Sequence, residues 1–377
     1  MKLKARSMFF RSSLSEGAGF AIAILFVMGG VANAAVQTWD GGGGDVNWGT
    51  KKNWGVGAGA GAPVNGDSVV FGGTANISTN NSVTGLSLVG ITFNNTAGAF
   101  TLAGNALTLA SGGITNSSAS SQTITLASIT LGSAQTFNAG TVTGGGLAIS
   151  SNVANGGFLL SWNGTNNSTF SGALSGTGGL TKLGTGILTL SGADTFTGAT
   201  SVSAGTLRLG STGSLGNGTN NTSSVTVANT ANLDLNGFTP TANVTLNLNG
   251  AVSATVGALT NGSGTAASYG GGVVLQSASS IGGAGDITLG GNMTGAFALT
   301  KVGNGTLTMN GTTAATAVNL NAGTFTLGAS NRLSDTSAVS IAGGSLNTGT
   351  ALTDTVGSFA ISSGSLLGTG TITAATY

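Results

Sequence analysis

The chain is built from short runs in which apolar and polar residues alternate. Leu86-Ser87-Leu88 leads into Ile91-Thr92-Phe93. Leu107-Thr108-Leu109, Thr123-Ile124-Thr125-Leu126, Ser224-Val225-Thr226-Val227, Asn232-Leu233-Asp234-Leu235 and Asn243-Val244-Thr245-Leu246 follow the same rule. A period of two is the signature of a strand with one buried face. Thr, Val and Ile favour the extended backbone, because branching at Cβ stiffens the side chain. Gly, Asn, Ser and Asp separate the runs and supply turn geometry. No segment after residue 35 carries a helical period with caps, so the pattern predicts an all-β protein.

The runs are also repeated. Leu180-Thr181-Lys182, with Gly184 and Gly186 and then Leu188-Thr189-Leu190, recurs as Leu299-Thr300-Lys301, Gly303, Gly305 and Leu307-Thr308-Met309. Ala204-Gly205-Thr206 follows the first copy and Ala322-Gly323-Thr324 the second. The leading blocks are offset by 119 residues and the trailing blocks by 118.

Short repeated strands suit a sandwich, an outer-membrane barrel or a parallel β-solenoid. One sandwich core would be large for this length. A barrel needs strands of ~9–11 residues and aromatic girdles. A solenoid needs only short strands, small turn residues and stacking of coil on coil. At ~20–25 residues per coil the chain from residue 35 onward would make roughly 14–17 coils, a rod ~65–80 Å long at about 4.8 Å per coil. Leu207/Leu209, Leu233/Leu235 and Leu246/Leu248 are expected to form one inward stack, each buried Leu contributing roughly 1.5–3 kcal/mol. Arg208, Asp234 and Asn247 would then point outward. Arg208 and Asp234 are 26 residues apart, about one coil, and are expected to form an exposed ion pair worth ~0–1 kcal/mol.

The first residues follow a different rule. Lys2, Lys4, Arg6 and Arg11 precede an apolar run from Phe20 to Val31, and Ala32-Asn33-Ala34 offers small residues to a signal peptidase. This is the layout of a cleavable secretory leader over residues 1–34. Cleavage would remove those four basic residues and Glu16, moving the net charge from +1 to −2. Three domains are expected: the signal peptide (1–34), an N-terminal cap segment with a Trp cluster (35–73), and a repeat region (74–377) that stops in mid-repeat.

Composition narrows the chemistry. The 377 residues include 69 Gly, no Cys and no His, and only 5% are charged, against roughly 7% Gly and about 25% charge in average chains. Without Cys there is no disulfide framework and no thiolate site. Without His there is no Ser-His-Asp triad and no imidazole base or ligand. Lys51-Lys52 is the one basic pair after the leader, too little for a nucleic-acid groove. The eight Asp (40, 45, 67, 194, 234, 286, 335 and 354) are scattered, as turn-forming acids are. A polysaccharide-cleaving enzyme would instead need carboxylates converging within ~5–10 Å. Gly282-Gly283-Ala284-Gly285-Asp286 approaches a calcium-binding nonapeptide, but it occurs once where such sites come in tandem. Lys182 and Lys301 recur at one repeat position, which marks them as architectural. No cofactor and no metal are expected. Trp39, Trp48 and Trp54 lie within 16 residues. They are the candidate glycan contact, by stacking on sugar rings; the competing role is a hydrophobic lid on the first coil.

The two Leu-Thr-Lys-x-Gly-x-Gly blocks with their Ala-Gly-Thr continuations resemble the autotransporter-associated β-strand repeat of bacterial secreted proteins. Residues 178–218 resemble it more closely, because Ser191 to Gly198 keeps the aromatic link, which Asn310 to Thr316 lacks. Thr38-Trp39-Asp40, Asn47-Trp48, Asn53-Trp54 and Pro63 to Asp67 are similar to the family's N-terminal stretches. The resemblance implies a right-handed parallel β-helix in a passenger region exported to the cell surface. The expected function is non-enzymatic display or adhesion, with glycans or neighbouring cells as partners. Contact with a membrane is expected only through export or a translocator that this chain lacks.

Overall fold

The structure is a computed structural model and describes residues 34–55, 61–140, 144–253 and 255–377. The expected signal peptide lies outside the described residues apart from its last position, Ala34. Residues Ala34–Tyr377 form one compact unit, a parallel β-solenoid of about 14 turns. Strand pairing between coils is parallel throughout, from Val36–Trp39 beside Ser68–Phe71 to Thr353–Leu367 beside Thr371–Thr376. Among the described residues one 3-10 turn, Lys51–Asn53, interrupts the strands.

Each coil visits three faces in a fixed order. Face A carries Gln135–Asn138, Leu160–Asn163, Leu180–Lys182, Thr200–Val202, Ser224–Val227 and Thr245–Gly250 as neighbouring rungs. Face B carries Leu147–Ile149, Ser168–Phe170, Ile187–Leu190, Thr206–Leu209, Asn232–Asp234 and Leu259–Thr260. Face C has strands in two stretches. The first ends at Leu174–Ser175, and the second begins at Ala267–Tyr269 and continues through Ile287–Leu289, Thr306–Met309 and Thr324–Leu327. The expected alternation holds within strands: Ser224–Val227, Thr206–Leu209 and Thr324–Leu327 all bury every second residue. The inward Leu, Ile, Val and Phe side chains form one continuous core.

Coil length is not constant. Leu190 stacks under Leu209, a step of 19 residues, whereas Leu207 stacks under Leu233, a step of 26. This variation corrects the expected leucine stack. Leu207 and Leu233 share face B, but the next rung there is Leu259. Leu246 and Leu248 pair with Val225 and Val227 on face A. A three-faced coil places two inward runs close together in sequence on different walls, and spacing alone does not assign them.

The same arithmetic rotates the sequence repeat. In the first copy, Leu180–Lys182 is on face A and Ile187–Leu190 on face B. In the second, Ala298–Val302 is on face B and Thr306–Met309 on face C. The repeated block is therefore a corner with its two flanking strands, used once between faces A and B and once between faces B and C.

At the N-terminal end the aromatic residues close the core. Trp39 lies over Phe71 in parallel register. Trp54 meets Trp39 edge-on at 5.1 Å and Trp48 at 6.0 Å between ring centroids, and Phe71 stacks on Phe93 at 5.5 Å. At the other end, Ile361, Leu366 and Leu367 are exposed.

Candidate functional site

The three tryptophans are the first place to look, and the structure corrects their expected role. Trp39, Trp48 and Trp54 are 2%, 0% and 3% exposed. Trp48 Nε1 donates to Thr79 Oγ1 and Trp54 Nε1 to the carbonyl of Trp48. Stacking on a sugar needs a free ring face, and these faces are covered by one another and by Phe71. They act as the lid, and the glycan-contact assignment falls for these side chains. Sequence spacing brought the rings together but did not say which way they point.

Seven of the eight acids accept a hydrogen bond from a backbone amide. Asp67 accepts from the Ala35 and Val64 amides and from Gln37 Nε2, tying the cap to the first coil. Asp45 accepts from the Asn47 amide, Thr50 Oγ1 and Asn53 Nδ2, and these bonds hold its carboxyl below the usual range. Asp286 Oδ1 accepts from the Thr306 amide one coil on, so the Gly282–Asp286 stretch makes a link between coils. Asp354 Oδ2 accepts from the amides of Arg332 and Leu333, and burial raises its carboxyl. Asp194 is buried, with Oδ1 on the Leu174 amide and Oδ2 without a partner. Burial pushes it up to about 8. Among the described residues no three acidic side chains gather where they could hold a metal ion.

The two repeat lysines are buried at corners. Lys182 Nζ donates to the carbonyls of Gly184 and, one coil on, Ala204. Lys301 Nζ donates to Val302, Gly303 and Ala322. Each ammonium joins its own Gly-x-Gly turn to the Ala-Gly-Thr turn of the next coil. Burial lowers both to about 8. The glycine between those turns is required: Gly205 has φ +66, and a methyl there would sit 2.6 Å from the carbonyl oxygens of Gly184 and Gly186. Gly323 repeats this over Gly303 and Gly305, with φ +64.

The outside of face B carries the ion pair found among the described residues. Ala148, Thr169, Thr189, Arg208 and Asp234 follow one another in register on successive rungs. Arg208 Nε donates to Asp234 Oδ2 at 2.9 Å, so the expected pairing of neighbouring coils holds. Its expected exposure does not, because the Asp234 side chain is 4% exposed and the Arg208 side chain 35%. Asp234 Oδ1 also accepts from the amides of Asn236 and Gly262. The next coil brings Gly262 over the carboxylate, and a two-coil comparison of sequence does not reveal that third layer. Two hollows flank the pair, one of about 250 Å3 bordered by Leu147, Ala148, Thr169, Ile187 and Thr189, and one of about 310 Å3 bordered by Asn232, Thr255, Val256 and Thr260. Arg208 borders both.

Comparison with known proteins fits this architecture. Residues 180–209 match the family model of the passenger-associated-transport-repeat, and they span both turns joined by Lys182. With the parallel solenoid around it, this match fits an autotransporter passenger-like repeat protein. No curated protein and no solved structure matches the chain.

Proposed function

We propose that the protein is exported and serves, without catalysing a reaction, as a β-helical surface or extracellular element for display or adhesion. The observation that carries this reading is the passenger-associated-transport-repeat at residues 180–209, set within a parallel solenoid. The use of side chains supports it. Lys182, Lys301, Asp67, Asp286 and Asp354 each bind backbone groups that hold coils or turns together. A stack of coils around a continuous apolar core gives a stiff scaffold whose outer Ser, Thr and Asn side chains meet other surfaces. The partners would be glycans or neighbouring cells.

The test is expression of the full chain in a Gram-negative host, followed by fractionation and protease shaving of intact cells. Recovery outside the inner membrane, with gain of cell or glycan attachment, is the expected result. Retention in the cytoplasm overturns the export reading. Release of new reducing ends or unsaturated uronates from polysaccharides by the purified chain would overturn the non-enzymatic one and favour a polysaccharide-degrading enzyme on this fold.

A further inference from the structure

Six cations are found among the described residues: Lys51, Lys52, Lys182, Arg208, Lys301 and Arg332. Lys182 and Lys301 are enclosed at corners. Arg332 directs Nε to the Ser330 carbonyl and Nη1 to the Asn310 carbonyl. Lys51 and Lys52 are exposed on the cap, away from any hollow described above. Arg208 differs from all of these. Its Nε is fixed by Asp234, while its terminal Nη groups have no hydrogen-bond partner among the described residues. It borders both hollows, on a row whose other charge, Asp234, is buried beneath it.

Three features of that row act together. Asp234 is itself held by two backbone amides, so the guanidinium is oriented before anything binds. The two Nη groups form an end-on fork of N–H donors, the geometry that meets a carboxylate with two parallel hydrogen bonds. Beside it, Thr169 and Thr189 stand on consecutive rungs, and Leu147, Ala148 and Ile187 supply an apolar floor. Hydroxyls next to small aliphatic surface suit the alternating polar edge and apolar face of a sugar ring. The register sets these groups in a line along the solenoid, one rung roughly every 4.8 Å, so the ligand that fits is extended.

We propose that face B around Arg208 is a binding site for an acidic polysaccharide of the polyuronate class. Arg208 receives a uronate carboxylate, and Thr169 and Thr189 hydrogen-bond the hydroxyls of the adjoining sugar. The proposal names a ligand for the display and adhesion reading above and rests on it for biological context, but it is tested on the purified chain alone.

The experiment measures affinity for tetragalacturonate, for the same tetrasaccharide with its carboxyls reduced to alcohols, and for a sulfated oligosaccharide of equal length. Wild type is expected to bind the uronate at least tenfold more tightly than the reduced form, and more tightly than the sulfated one. Arg208→Gln removes the cation, and Thr169→Tyr fills the hollow without touching the ion pair. Each should weaken uronate binding tenfold or more with the far-ultraviolet circular dichroism unchanged. The double variant Lys51→Gln/Lys52→Gln should bind as wild type does. Equal affinity for the acidic and reduced sugars overturns the proposal, as does preference for sulfate, undiminished binding by Thr169→Tyr, or loss of binding in the lysine variant. Cytoplasmic retention of the chain would fault the export reading and leave this result standing.

Discussion

A carboxyl group with one oxygen on a backbone amide and the other facing only the core is an unusual object in a chain with so few charges. Asp194 is that group. It stands on face C directly after Leu174–Ser175, and its own amide donates to the Gly213 carbonyl. It therefore continues the hydrogen bonding of a ladder that has no strand at this level. Desolvation disfavours the charged form, which is why its carboxyl rises to about 8. The consequence for stability has a definite sign. From pH 4 upward the unfolded chain gives up this proton while the folded chain keeps it, so stability falls with rising pH until the folded group also ionises near pH 8. Lys182 and Lys301, lowered to about 8, act in the opposite sense and in a higher window. From about pH 8 to 10.5 the unfolded chain holds their protons more tightly, so stability rises with pH. A minimum near pH 8 is expected. Asp354, also raised by burial, adds to the same limb, so Asp194→Asn should make the limb below pH 8 shallower and leave the limb above it in place. Denaturant melts at pH 5, 8 and 10 check this. An unchanged slope between pH 5 and 8 in the variant would show that another group titrates there.

At the scale of strands and turns, the recurring element is the corner. The lysine of one coil, the Gly-x-Gly turn beside it and the Ala-Gly-Thr turn above make a unit that the chain uses on two different edges. Gly205 is its tightest point. Gly205→Ala must accept a left-handed backbone that costs a side-chain-bearing residue ~1–2 kcal/mol. It must also push against two carbonyl oxygens, an overpacking cost of about 1–3 kcal/mol. Gly218 is the control: its φ is +89, but nothing lies within 4 Å of a methyl there. Gly218→Ala should lose about 1 kcal/mol and Gly205→Ala clearly more. Equal losses in chemical denaturation would mean that backbone conformation, and not the stacking of turns, makes the glycine necessary. The repeat and the strand alternation were legible in the sequence because both are local. The link between Arg208 and Asp234 was legible as well, because one coil separates them. The burial of Asp234 was not, since it depends on Gly262 arriving from the coil above. The groove was not legible either, since Thr169, Thr189 and Arg208 align only through steps of 20 and 19 residues that differ from the 26 of the next coil.

On the scale of the whole solenoid, each coil touches only its neighbours, so stability is a chain of interfaces and the weakest interface sets where the molecule comes apart. Faces A and B have a strand on nearly every coil. Among the described residues face C has none between Leu174–Ser175 and Ala267–Tyr269. In that interval the bonds between coils on face C are scattered: the Leu174 amide to Asp194 Oδ1, the Thr195 and Thr197 amides to the Leu174 and Gly176 carbonyls, the Asp194 amide to the Gly213 carbonyl, Thr241 to the Thr212 and Gly216 carbonyls, and the Ser268 amide to Thr239 Oγ1. The same coils carry the long excursions, including the hairpin-like bridge of Ala251 to Gly257. Opening is therefore expected in the region from about residue 209 to 267, dividing the solenoid into two cooperative halves. The tryptophans make this measurable. All four, Trp39, Trp48, Trp54 and Trp162, precede the interval and are buried, so their fluorescence reports the N-terminal half alone. Circular dichroism reports strands in both halves. In urea, the fluorescence curve should show one transition and the dichroism curve two, one of them at the fluorescence midpoint. Limited proteolysis between the two midpoints should cut within the interval. Coincident single transitions in both probes would instead show that faces A and B carry enough coupling across it to make the solenoid unfold as one unit.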